Sequence, residues 1–223
     1  MNLDDIVKWL LNILELMATL TGFYYIGRWA HTHWRWFPWF LLFIVVTELL
    51  GKYMYYHENM RKYNYIVYRY ANLPATVFFY LWLMANAFTG KNMRRLAWVA
   101  AVLYAILWLV EEFWLPVAAR KGISRSYVLG FLFILGFIIA WFYRLIRNPR
   151  VVQYKRNMQF WVNSGLLFYI VTLPFSALRK ELYSQYPDLF MIYWYTSFAF
   201  TYVMYLFFIL SFKWAEPKLS YSL

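Results

Sequence analysis

Residues 126–146 read SYVLGFLFILGFIIAWFYRLI, and this stretch decides the class of fold. From Ser126 to Tyr143 it carries no charged side chain, and apolar residues fall on every face of a 3.6-residue helix rather than along one stripe. A helix that is apolar all round needs apolar surroundings, and about 20 residues at 1.5 Å each cross a hydrocarbon layer of roughly 30 Å. Working outward, similar stretches occur at 6–26, 37–56, 64–88, 96–115, 158–178 and 189–212, so seven spans account for most of the 223 residues. The expectation is an all-α fold, a polytopic transmembrane helical bundle of about seven spans forming one integral membrane domain, with no soluble domain.

Composition agrees with lipid as the solvent. Hydrophobic side chains make up 64% of the chain and charged ones 14%, whereas soluble domains hold about 45–50% and about 25%. Aromatic residues reach 25%, the amphipathic rings that favour membrane–water interfaces. With no Cys there is neither a disulfide framework nor a thiolate ligand or nucleophile. The net charge of +12 is spread over short gaps between apolar runs, which points to orienting charges rather than to nucleic acid. The first span is not read as a cleaved signal, because Asp4 and Asp5 precede it and no small-residue cleavage site comes after.

Orientation is read from the loops. The first, third and fifth loops and the C-terminal tail hold slightly more Lys and Arg than the opposite set, with the densest run at Arg144, Arg147, Arg150, Lys155 and Arg156. Basic loops stay cytoplasmic, so the N-terminus is expected outside and the C-terminus inside a bacterial-type cytoplasmic (inner) membrane. The basic run is expected to dock a partner protein or lipid headgroups. Trp29, Trp34, Trp36 and Trp39 are expected at the inner interface, and Pro38 in the first turn of the second span, where its missing N–H costs little.

Ionisable groups within spans cost about 2.5–3.5 kcal/mol on insertion scales, so each needs a partner, a cavity or a function. Counting along the spans at 1.5 Å per residue, Glu15 and Glu48 lie about 12–14 Å below the outer surface, Asn72 about 12 Å and Arg69 about 8 Å. Three consecutive helices therefore bring polar groups to one depth, which predicts a buried cluster in the outer half. It serves either packing, through a Glu48–Arg69 ion pair with Glu15 bonded to Thr19 or Thr47, or a ligand, cation or proton. Pro74 and Pro174 free backbone carbonyls nearby. With Tyr193, Tyr195, Thr196 and Ser197 from the last span, the expectation is an outward-facing, aromatic-lined polar pocket. Asn163, Ser164 and Gly165 are expected to serve close helix packing.

Glu111 and Glu112 end the fourth span. Adjacent residues on a helix point about 100° apart, so one is expected to face inward as a further candidate and the other the headgroups. A glutamate pair in a membrane helix resembles the CAAX-type intramembrane proteases, but Pro116 and Val117 stand where an arginine is needed, and His31, His33 and His57 all fall in loops. Seven spans resemble the microbial rhodopsins in number, yet the last span has no central lysine for a retinal Schiff base. More broadly, the chain resembles small aromatic-rich bacterial seven-helix membrane proteins.

No span contains a histidine, so no metal site, haem or other cofactor is expected. No nucleophile and base share a depth, so no enzyme activity is expected. The leading expectation is a receptor-like, ligand-binding protein that acts through a protein partner or as a homo-oligomer. The alternatives are a proton- or cation-coupled transporter or channel, and a structural membrane subunit.

Overall fold

The computed structural model of the chain describes residues 3–114, 124–147, 151–173 and 179–217. Arg150 and Pro174 therefore lie outside the described residues. Every regular element among those described is helical: α1 (Leu3–Tyr24), α2 (Phe37–Tyr56), α3 (Arg61–Ile66), α4 (Leu73–Ala87), α5 (Lys91–Phe113), α6 (Arg125–Arg147), α7 (Met158–Val171), α8 (Arg179–Gln185) and α9 (Pro187–Trp214).

Local chemistry sets where these helices begin. Pro38 and Pro187 occupy the first turns of α2 and α9, as a residue without an N–H favours. Asn157 caps α7 by accepting from the Gln159 amide at 2.9 Å. Between α3 and α4 the chain makes one wide π-type turn, Val67–Asn72, in which the Leu73 amide donates to the Tyr68 carbonyl. Pro74 explains its position: the Tyr70 carbonyl has no N–H four residues later to accept from, so the α register relaxes there.

Five helical stretches, Asp5–Tyr24, His33–Tyr56, Lys91–Phe113, Arg125–Arg147 and Pro187–Trp214, are long and apolar enough to cross a membrane, which is compatible with a multi-pass membrane protein. The expected count of seven is not reached by these: the third expected span is the interrupted segment α3–π–α4, and α7, in the sixth, has 14 residues.

Six of the helical segments close into a ring. α1 packs on α2 and on α9, α9 on α7, α7 on α6, α6 on α4, and the α3–π segment on α2. α5 stands outside this ring and braces α4 and α6. Its inward face carries Ala97, Ala100 and Ala101, small enough for close approach, while Leu96, Val99, Leu103, Ile106 and Val110 stay exposed on the lipid side.

One end of the ring is plugged by aromatic packing. The Phe37 ring stacks on Phe212 (centroids 5.5 Å) and meets Phe208 edge-on (5.1 Å), and Phe79 stacks on Phe40 at 3.9 Å. Trp29 and Trp34 are fully buried beside this plug, while Trp36 and Trp39 are half exposed. The Thr32 hydroxyl, accepting from the Trp34 amide and donating to the Trp29 carbonyl, folds that turn back against the bundle.

Candidate functional site

Above the plug the ring encloses a cavity of about 610 Å³. Each wall helix contributes residues at helical spacing: Leu11 and Glu15 from α1, Ile44 and Glu48 from α2, Tyr193, Ser197 and Thr201 from α9. Arg69 and Asn72 reach it from the π turn. The four residues that share a depth in the sequence, Glu15, Glu48, Arg69 and Asn72, thus line one cavity. Seven tyrosines line it too, with Phe40, Phe131, Phe198 and Trp194. Its deep end, at Phe40, Tyr80, Phe131 and Leu166, abuts the aromatic plug.

Arg69 does not pair with Glu48. Its Nε bonds Glu112 Oε1, its Nη2 reaches Glu111 Oε1 at 3.3 Å, and its Nη1 donates to the Tyr65 hydroxyl at 2.6 Å. Both carboxylates come from α5, outside the ring, so the guanidinium is drawn outward. Both are also buried, at 5% and 3% exposure, which corrects the expectation that one faces the headgroups. The reason is packing: α5 sits against α4 and α6 together, so two directions about 100° apart both point into protein.

Glu111 has a second task. It accepts from the Arg125 and Ser126 amides at 3.0 and 2.7 Å and from the Ser124 hydroxyl at 3.0 Å. The first amides of α6 have no partners within their own helix, and a carboxylate at a helix N-terminus also meets its positive dipole end. Glu111 is therefore a packing residue that clamps α5, α6 and the π turn, and it is not on the cavity wall. The sequence carried a signal for this arrangement: Ser124 and Ser126 open an apolar run one short loop after the Glu pair, as helix-capping residues do.

Glu48 and Glu15 are held differently. The Tyr68 hydroxyl donates to Glu48 Oε2 at 2.6 Å, and Tyr205 lines the chamber together with Glu15. The Thr19 hydroxyl bonds the Glu15 backbone carbonyl at 2.8 Å, and Thr47 accepts from Asn72 Nδ2 at 2.8 Å. Among the described residues neither carboxylate forms an ion pair, whereas both partners of Arg69 do. Lys52, one turn beyond Glu48, is within electrostatic reach of both, but its ammonium lies over the Trp9 ring, 5.7 Å from the centroid.

Gly51 makes room for the Tyr68 ring. A Cβ there would lie 2.5 Å from Tyr68 Cε2 and 2.8 Å from its hydroxyl. Asn64 Nδ2 donates to the Gly51 carbonyl at 2.8 Å, so the same close approach seats α3 on α2.

Ser197 lines the cavity, but Thr196, the preceding residue on α9, is exposed and does not. One residue on a helix turns the side chain by about 100°, enough to exchange the interior for the surface. Gly165 is packed against the Met204 carbonyl and Phe207 of α9, and Gln159 Nε2 donates to Asn163 Oδ1 at 2.7 Å, both buried. Of the basic run, Arg144 lies over Phe88, Arg147 over Tyr143 and Lys155 over Tyr154, and Arg156 pairs with Glu216 at 3.5 Å near the surface. All fall at the end opposite the carboxylates. Among the described residues, no three His, Cys, Asp or Glu side chains converge as a metal site.

Compared with models of known protein families, with curated proteins and with solved structures, the chain matches none of them.

Proposed function

We propose that this chain is a receptor-like membrane protein that binds a small molecule in the six-segment cavity and transmits binding to a partner at its basic end. The observation that supports this most is the shape of the site. A chamber of about 610 Å³, within the 300–1,000 Å³ range usual for ligand pockets, abuts stacked phenylalanines instead of continuing as a polar path. The polar residues divide into two sets. Arg69, Glu111 and Glu112 hold helices together, and Glu15, Glu48, Ser197 and Thr201 face the chamber. The first set is spent on ion pairs between helices, whereas Glu15 and Glu48 face the chamber without an ion pair among the described residues, and the hydroxyls of Ser197 and Thr201 bond back to their own helix.

Transport is the second reading, and the buried Gln159–Asn163 pair beyond the plug favours it, because it would give a substrate one polar stop on the far side. The two readings separate in sealed liposomes. A receptor gives no proton or monovalent-cation flux above empty vesicles, whereas flux abolished by Glu48→Gln would establish a transporter. Ligand capture is tested by thermal-shift screening of small organic cations, anions and neutral aromatics against the protein in nanodiscs. Compounds that stabilise the wild type should fail with Ser197→Trp, which fills the chamber. If no compound distinguishes the two proteins, the chamber is not a ligand site.

A further inference from the structure

We propose that the ligand is an organic cation, an amine carrying an apolar or aromatic body, with its ammonium held between Glu15 and Glu48. This inference rests on the chamber being the ligand site. Among the described wall residues the only cationic side chain is Arg69, and two carboxylates from α5 already bind it. An anion would meet Glu15 and Glu48, with Arg69 committed to the α5 carboxylates and the Lys52 ammonium drawn over the Trp9 ring. With Glu15 and Glu48 ionised, as an ammonium held between them keeps them, the four carboxylates Glu15, Glu48, Glu111 and Glu112 outnumber Arg69 and Lys52 among the described residues of the cluster, and the field in the chamber is then negative. A low-dielectric wall strengthens that field.

The remaining wall identifies the rest of the ligand. An ammonium donates charge-assisted hydrogen bonds to carboxylates and is attracted to aromatic faces. The tyrosine-rich wall supplies those faces, and Leu11, Leu41, Ile44 and Leu166 supply apolar contact for a hydrocarbon body. A bare metal ion would leave most of about 610 Å³ unfilled. The Glu48 carboxylate is also oriented before binding: Tyr68 fixes it, with Gly51 giving the ring its place. Preorganisation of this kind lowers the ordering cost of binding. Glu15 is 4% exposed, so its carboxylate is sheltered from water in the chamber wall.

The test uses the full chain in nanodiscs of zwitterionic phosphatidylcholine, which removes anionic lipid as a competing cation site. Binding of phenylbutylammonium is compared with that of phenylbutanol and phenylbutyrate, which share the hydrocarbon body, by calorimetry and tryptophan fluorescence. The wild type should prefer the amine by about tenfold or more, the equivalent of one charge-assisted bond. Glu48→Gln and Glu15→Gln should each remove most of that preference while still binding the alcohol. Lys52→Met, which withdraws a repelling charge, should tighten the amine alone, an effect that a merely structural role for these residues would not produce. Equal binding of amine and alcohol by the wild type would overturn the cation inference and leave the chamber as a ligand site. Binding of none of the three would overturn both.

Discussion

Replacing Arg69 by glutamine should destabilise the bundle more than any other single polar change. Arg69 is 3% exposed, and the side chains of Glu111 and Glu112 are 7% and 1% exposed, so the substitution leaves two buried carboxylates without their cation. They are not equally affected. Glu111 keeps three donors from the start of α6, whereas Glu112 loses the partner of its Oε1, and among the described residues its Oε2 has none. Removing one member of a buried pair costs about 3–5 kcal/mol. At about 2–4 °C per kcal/mol for a chain of this size, Arg69→Gln should lower Tm by about 6–20 °C. The assay is thermal unfolding in nanodiscs monitored by tryptophan fluorescence. Arg69→Gln/Glu112→Gln should recover at least about half of the loss, because the remaining Glu111 is satisfied by α6. A melting temperature for Arg69→Gln within about 1 °C of the wild type, or a double variant less stable than the single one, would refute the account of Arg69 as the clamp between the π turn and α5.

The same geometry makes three other outcomes measurable. Gly51→Ala places a methyl 2.5 Å from the Tyr68 ring and should cost about 1–3 kcal/mol, measured as a fall in Tm that Tyr68→Leu reverses and Tyr68→Phe does not, since the clashing ring carbon remains. Gly130→Ala puts a methyl 2.6 Å from Val77 Cγ1 and 2.9 Å from Tyr104 Cδ2, so it should separate α6 from α4 and α5, with Val77→Ala restoring part of the stability in a double-mutant cycle. Replacing Arg147, Lys155 and Arg156 together by alanine should reduce retention of phosphatidylglycerol in native mass spectrometry by about 1 kcal/mol for each headgroup contact, with Arg156 contributing least because Glu216 already pairs with it; unchanged lipid retention would show that this end does not bind headgroups.

Much of the site was legible in the sequence because depth in a membrane helix is one-dimensional. A rise of 1.5 Å per residue placed Glu15, Glu48, Arg69 and Asn72 at one level before any contact was known, and the four line one chamber. Their partners were not legible. Pairing Glu48 with Arg69 was the natural expectation from three consecutive helices, and it failed because the carboxylates that Arg69 uses stand more than forty residues away on a helix outside the ring. Thr196 and Ser197 show the same limit: one residue apart and nearly equal in depth, they face opposite environments.

By itself, then, the sequence determined the class of fold, the common level of Glu15, Glu48, Arg69 and Asn72, and the place of Pro38 in the first turn of its helix. Those properties depend on the length of apolar runs, the rise of a helix and the missing amide of proline, all of which are local. Only the tertiary structure decided azimuth and neighbourhood. A helix that is apolar all round has no polar stripe from which to read its inward face, and a π turn shifts the angular register of every residue beyond it in the same helix. Which carboxylates hold Arg69, and which are left facing the chamber, therefore depended on α5 packing against α4 and α6 from outside the ring.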